Sequence, residues 1–414
     1  MVRDTMPEFF EVLPPQEAYH KLEGSYTPRL KTEEILTAEA LDRVLAVDIL
    51  SPEDLPAFPR STMDGYAVRA EDVYGASEGL PAYLDVVGEV VMGAEPPFAL
   101  RSGQAALIFT GGMLPSGSNA VVMVENTQVL GKGVEVLRPV AVGENVIQVG
   151  EDIRQGTAVL ARGHSLQPQD IGGLMALGII RVSVYRKPRV AIISTGDEVV
   201  SPGQKPPPGK VRDINTYTCS ALTVRAGGIP LLMGIIPDDR AALLDACRQG
   251  MEQADIVIIS AGSSVSTRDL TAQVINALGK PGILVHGVAI RPGKPTVLGV
   301  AENVPIFGLP GNPVSAVVLF NLFVVTTIRS LNGAPAASSG RTVTARLTHS
   351  IASVAGREDY VPVRLLEAQE EVLAEPIFGK SNLIFTLVRA EGTVCVPLDQ
   401  GGLSAGEMVE VLIF

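Results

Sequence analysis

The sequence predicts a multidomain α/β protein, on three observations. Between residues 188 and 332, apolar strands alternate with helical segments, which argues for a parallel or mostly parallel sheet with helices on both faces. Residues 83–150 break into short β-forming runs separated by Gly and Pro turns. Beyond residue 340 the apolar period becomes two, the mark of a small all-β module.

The remaining elements follow in chain order. Residues 1–50 are expected to be helical, with Leu36, Leu41, Val44, Leu45 and Ile49 recurring at helical spacing over 34–50. Pro52 and Pro56 break the pattern, and a polar loop with a carboxylate at Asp64 then runs into a short strand from Gly65. The bland role of Asp64 is an Asp-Gly turn. Strands are expected over 85–91 and 120–124, with the glycine-rich Thr110-Gly111-Gly112 between them; a plain hairpin is the competing reading there. Residues 169–178 read as a helix ended by Gly178. That helix would return beside the N-terminal one, making the β region an insertion. The expected domains are therefore residues 1–55 with 151–187 (helical), 56–150 (inserted β), 188–333 (α/β) and 338–414 (β). The last two are joined by the linker at 333–340, Gly-Ala-Pro-Ala-Ala-Ser-Ser-Gly.

Inside the α/β region the stretch Gly308-Leu309-Pro310-Gly311-Asn312-Pro313-Val314-Ser315-Ala316 stands between an apolar strand and a buried helix. Glycines there allow close backbone approach and positive φ. Pro313 suits a first helical turn, Asn312 is a good N-cap, and free N–H groups at such a start favour an anion. Two further strands end similarly, one at Thr195-Gly196-Asp197-Glu198 and one at Ala261-Gly262-Ser263-Ser264. Ligands of open α/β sheets bind at the carboxyl ends of the strands, so three such ends would make one polar mouth. Asp238 and Asp269 stand near expected helix starts, where N-capping is the ordinary role. Arg291-Pro292-Gly293-Lys294-Pro295 sets two cations around a Pro-Gly turn. It is no P-loop. It is either an oxyanion clamp or a solvated turn.

Composition narrows the function classes. A net charge of −12 offers no basic footprint for nucleic acid, so an anionic ligand must be met by a local cluster of cations. Cys219, Cys247 and Cys395 are far apart, and His20, His164, His286 and His349 share no ligand spacing. Neither a disulfide framework nor a zinc site is expected. The cysteines read as core residues of a protein in the reducing cytoplasm. The first residues lack a signal-peptide profile. The longest apolar run, around 314–325, is broken by Asn321 and reads as too short for a membrane span.

Six segments together carry a resemblance. Residues 61–69 (STMDGYAVR), 108–122 (IFTGGMLPSGSNAVV), 150–153 (GEDI), 194–199 (STGDEV), 291–296 (RPGKPT) and 308–316 (GLPGNPVSA) appear in the order found in the molybdopterin molybdenumtransferases. The chain resembles the bacterial MoeA proteins and the gephyrin E domain over almost its whole length. The resemblance implies a three-layer α/β molybdopterin-binding domain, a helical domain interrupted by a β domain, and a C-terminal β-barrel. It implies insertion of molybdenum from molybdate into adenylylated molybdopterin, with Mg²⁺ and release of AMP. A homodimer is implied, with clefts lined by both subunits, as is a transient contact with the adenylyltransferase that supplies the substrate. No nucleic acid and no membrane partner is expected.

Carried over by motif, Asp64, Thr110 and Glu198 fall on catalytic positions, and Asp238 and Asp269 on metal-binding ones. Asp152, Ser264, Arg291, Lys294, Pro310, Pro313, Ser315, Arg357 and Ser381 fall on substrate-binding positions. Two departures stand out. Ser260-Ala261-Gly262-Ser263-Ser264-Val265-Ser266 replaces the family's SGGVSVG, and Arg291 replaces the first lysine of KPGKP. Three alternatives stay open: a molybdopterin adenylyltransferase, which resembles only residues 188–332; a non-catalytic scaffold; and tungstate in place of molybdate.

Overall fold

The computed structural model describes residues 12–261, 265–334, 341–368 and 371–414; for residues 265–269 and 368 the description is of the backbone alone. Contacts divide the chain into two compact units, residues 1–35, 42–46 and 183–414 in one and residues 36–41 and 47–182 in the other.

Near the N-terminus a short helix, α1, covers Pro15–Glu23. The helix expected over 34–50 does not form. Thr32–Leu36 is a strand, Thr37–Glu39 a single 3-10 turn, and Asp42 takes a left-handed φ of 61°. Residues 44–46 run extended: the Tyr185 N–H donates to Val44 O at 2.8 Å and the Ala46 N–H to Ser183 O at 3.0 Å. Val44, Leu45 and Ala46 are consecutive and all buried. Pairing with a neighbouring strand has overridden a helical spacing that is present in the sequence.

The unit of residues 36–41 and 47–182 is built on a six-stranded sheet. Its strands are β1 (Gly65–Val68), β2 (Ala82–Glu89), β3 (Gln104–Ile108), β4 (Ala120–Met123), β5 (Thr127–Leu130) and β6 (Gly133–Val136). Their order is β4-β1-β3-β2-β6-β5, antiparallel except for β2 beside β3. Alternation along β1 sends Tyr66 and Val68 into one core cluster and Ala67 into another. Gly65 is required by close pairing, since a Cβ there would stand 1.9 Å from Val122 O. The expected helix is present as α2 (Pro168–Ala176), followed by Gly178 at φ 68°.

The other unit holds the α/β sheet and the C-terminal module. The sheet strands are β7 (Arg189–Thr195), β8 (Ile229–Ile236), β9 (Ile256–Ala261), β10 (Pro281–His286), β12 (Val297–Ala301) and β13 (Val304–Pro310); β11 (Ile290–Arg291) leaves the sheet. The order is β8-β7-β9-β13-β12-β10, with the first four parallel and the last two antiparallel. The helices are α3 (Asn215–Arg225), α4 (Arg240–Gln253), α5 (Val265–Leu278) and α6 (Pro313–Leu331), the last with one wide π-helical turn at Phe320–Val324.

A period of two in the strands makes the three layers. Val190, Ile192, Ile256, Ile258 and Phe307 pack with α1, α3 and α6, while Ala191, Ile193, Val257, Ile259 and Ile306 pack with α4 and α5. Cys219 and Cys247 sit in these two cores, where burial raises each thiol to about 12. Cys395 is exposed, against its reading as a core residue. Helix α6 proves longer than its sequence suggested, long and apolar enough by length and composition to cross a membrane; here most of it is buried in the protein.

Five C-terminal strands close on themselves: β14 (Thr342–Leu347), β15 (Glu358–Ala368), β16 (Glu371–Pro376), β17 (Gly392–Val396) and β18 (Met408–Ile413). The circuit runs β15-β16-β14-β18-β17 and returns to β15, a small barrel. Outside the circuit β11 pairs with β15 in parallel, setting Arg291 opposite Asp359.

Candidate active site

A large cavity lies wholly within the unit of residues 1–35, 42–46 and 183–414, between the α/β sheet and the barrel. It encloses about 1020 Å³ and is lined by the turn after β11, the start of α6, the segment leading into β15, and the 378–382 loop. The turn after β11 is held by its own bonds. The Thr296 hydroxyl donates to Gly293 O at 2.6 Å, and the N–H groups of Val288 and Thr296 both donate to Lys294 O, at 3.0 and 2.9 Å. Backbone so pinned presents Arg291 and Lys294 from fixed points, both exposed.

At the start of α6, Gly308 lies in extended backbone within β13 and serves close approach: a Cβ would stand 3.0 Å from Thr271 Cγ2. Asn312 occupies the N-cap position, but its side chain makes no capping bond. The Val314 N–H instead donates to Ser381 O at 3.1 Å, so a barrel loop caps this helix. One of the N–H groups expected to meet an anion is thereby satisfied already.

Six of the expected substrate-binding residues line this one cavity: Arg291, Lys294, Pro310, Ser315, Arg357 and Ser381. Pro313 is in the first turn of α6, buried, and is not part of the lining. Two charged lining residues were not singled out from sequence: Lys380, a cation beside Ser381, and Asp359. Asp359 is 3% exposed. Its Oδ1 accepts from Arg357 Nε at 2.8 Å, and its Oδ2 from Arg357 Nη2 at 3.3 Å, with Arg291 Nη1 at 3.6 Å. Neither Lys294 nor Lys380 has an ion-pair partner among the described residues.

The expected acids lie elsewhere. At the ends of β7 and β8, the Thr195 hydroxyl donates to Asp238 Oδ1 at 2.8 Å, and the Asp238 N–H to Asp197 Oδ1 at 3.3 Å. Helix α4 is capped by Asp239, whose Oδ1 accepts from the Ala242 N–H at 2.9 Å. Capping is thus the role of Asp239 and not of Asp238. Glu198 folds back over Gly196, where a Cβ would stand 2.8 Å from Glu198 Oε2. The side chain of Asp269, in α5, and the whole of Ser264 lie outside the described residues. Among the described residues, no three His, Cys, Asp or Glu side chains gather at metal-ligating distance.

Asp64, Thr110 and Asp152 belong to the other compact unit. Asp64 and Thr110 are direct partners, since Asp64 Oδ1 accepts from the Thr110 N–H at 2.7 Å and from its hydroxyl at 2.8 Å. These two bonds, the backbone one first, hold the exposed Asp64 carboxyl below the usual carboxylate range. Asp152 is exposed, with its N–H donating to Leu55 O at 3.1 Å.

Comparison with known proteins gives three family matches along the chain. Residues 13–178 match "MoeA N-terminal region (domain I and II)", residues 191–330 "Probable molybdopterin binding domain", and residues 344–414 "MoeA C-terminal region (domain IV)". The molybdopterin molybdenumtransferase of Nostoc sp. is 36% identical over 99% of this chain and 93% of its own length. The chain belongs to the MoeA family, the molybdopterin molybdenumtransferases. The Haemophilus influenzae member is 33% identical over 92% of this chain and 93% of its own. Among solved structures, the molybdopterin biosynthesis MoeA protein of Pyrococcus horikoshii OT3 superposes with a TM-score of 0.85 at 33% identity, covering 98% of this chain and 100% of that one. The three-layer domain and closed barrel described above are thus those of the MoeA fold.

Proposed function

We propose that this MoeA-family chain inserts molybdenum from molybdate into adenylylated molybdopterin, with Mg²⁺-dependent release of AMP, in the cytoplasm. The observation that carries the reading is the cavity of about 1020 Å³ on which Arg291, Lys294, Lys380, Arg357 and Ser381 converge. In a protein of net charge −12, such a cluster is the local exception an oxyanion needs. Guanidinium groups offer a planar fork to oxygen, and the lysines offer mobile point charges. The test is to incubate the pure protein with adenylyl-molybdopterin and Mg²⁺, with and without molybdate, and to follow AMP. Release that ignores molybdate would count against insertion and for a simple hydrolase.

Magnesium suits the residues at the ends of β7 and β8. It takes hard oxygen ligands, and is commonly held by one or two carboxylates together with substrate phosphates and waters. Asp238 and Asp197 offer such oxygens, and the family resemblance assigns Asp269 to the metal as well. Once bound, the ion would supply positive charge to the phosphates. Two adjacent substitutions separate metal binding from capping. Asp238→Ala should raise the half-saturating Mg²⁺ while leaving the melting temperature nearly unchanged. Asp239→Ala should cost about 1 kcal/mol of stability and leave the Mg²⁺ curve in place. The reverse pattern would remove Asp238 from the metal site.

Within the same reading the protein works as a homodimer of four-domain chains, and Asp64, Thr110, Asp152 and Glu198 act on the substrate from a cleft that two chains complete. Light scattering at micromolar concentration should return twice the chain mass of 43.6 kDa; the monomer mass would defeat the shared cleft.

A further inference from the structure

Asp359 is a carboxylate taken out of water and set between two guanidinium groups on the cavity wall. Burying such a charge is costly unless it is well paired. Its three contacts divide unevenly: Arg357 gives Nε and Nη2, while Arg291 approaches with Nη1 alone at 3.6 Å. Two structural facts bring the groups together. Arg357 lies in the bend just before β15, two residues from Asp359, and the β11–β15 register sets Arg291 opposite Asp359. Both arginines keep exposed surface, 34% of the Arg357 side chain and 64% of that of Arg291. Arg357 has five N–H donors, and its Nη1 is not engaged by Asp359.

We propose that Asp359 is a positioning residue: it fixes the Arg357 fork, and more loosely Arg291, in the orientation in which their remaining donors receive a tetrahedral oxyanion. This rests on the oxyanion reading of the cavity given above. A flexible guanidinium must be ordered when the ligand binds, whereas one already held has that cost removed.

Charge and orientation make opposite demands here, which lets one measurement decide. Removing the negative charge of Asp359 adds net positive charge beside the site, and Coulomb attraction alone would then tighten a dianion. Loss of the held fork would weaken it. We expect weakening to win. In equilibrium dialysis of the full-length protein against molybdate, Asp359→Asn should bind about tenfold more weakly than the parent. Arg357→Lys keeps the charge and cannot make the two-point contact, so it should lose affinity to a similar degree. In an Arg357→Ala background, adding Asp359→Asn should change affinity less than about twofold, because two residues acting through one contact are not additive.

Unchanged or tighter binding by Asp359→Asn would overturn the proposal. So would a full further loss in the Arg357→Ala background, which would assign Asp359 to the barrel's stability. If Asp359→Asn does not fold, Arg357→Lys decides alone, and unchanged affinity there overturns it. A parent protein that holds no molybdate defeats the oxyanion reading itself, and this inference with it.

Discussion

Lys294→Ala should raise the molybdate needed for half-maximal insertion by roughly 10–150-fold, the equivalent of about 1.5–3 kcal/mol. The cations around the cavity are not equivalent. Arg291 and Arg357 are both engaged by Asp359, whereas Lys294 has no ion pair among the described residues. Its backbone is fixed through the bonds that Val288 and Thr296 make to its carbonyl. The gross attraction of an ammonium for a dianion ~4 Å away, at an effective dielectric of ~20, is roughly 8 kcal/mol. Most of that is offset by stripping water from two strongly hydrated ions. What remains is of the order of a charge-assisted hydrogen bond. Excess molybdate should restore part of the rate, and affinity for the adenylylated pterin should fall less. A lysine that merely decorates a solvated turn would leave the molybdate curve unmoved. Equal loss of pterin and molybdate binding would put Lys294 on the phosphates instead.

Asp64→Ala should lower the rate of AMP release on the order of 10²-fold or more, the range for a residue that handles charge or protons at the reacting centre. Its stability cost should be small, because Asp64 is exposed. The more informative variant is Asp64→Asn, whose amide oxygen can still accept both bonds from Thr110. If ionised Asp64 is what the reaction uses, Asn should be nearly as inactive as Ala. If Asp64 only braces the loop, Asn should work almost as well as the parent. The pH dependence has a definite sign. A carboxyl whose folded pKa is depressed contributes fully above its unfolded value of about 3.9. That contribution is lost as pH falls through the lower folded value. Activity that depends on charged Asp64 should therefore persist through mildly acidic pH, and a loss centred near pH 6 would have to belong to another group.

Part of the candidate site could be anticipated from the chain through short motifs shared with the family. The start of α6 follows the apolar strand β13, so the strand-to-helix turn was legible locally, whereas Lys294, Pro310 and Ser315 were assigned to a substrate site by the family resemblance; all three line the one cavity. What the chain hid was partnership over distance. Nothing local says that Asp64 will accept both donors of Thr110, 46 residues on, or that Ser381 O will cap a helix for which Asn312 is the better sequence candidate. Asp238 and Asp239 are both fit to cap α4, and only backbone conformation chooses: Asp239, at φ −114° and ψ 132°, has the extended geometry of an N-cap. Asp359 left only its spacing as a trace, two residues from Arg357. The extended run at 44–46 left none, since its strand partner lies near residue 184.

The order of strands in the α/β sheet bears on how the chain is made. Strand β13 is the last of the sheet to leave the ribosome, yet it lies inside, between β9 and β12. Until about residue 310 has emerged, β9 has no partner on one side, and its residues Ile256, Val257, Ile258 and Ile259, fully buried in the finished protein, border an open edge. Such an edge is a template for another nascent chain, and half-made sheets of this kind are prone to aggregate. Helix α6, which covers one face of that sheet, is later still. Recovery of soluble protein should therefore respond to the pace of synthesis and to holding chaperones more than to modest changes in the stability of the finished fold.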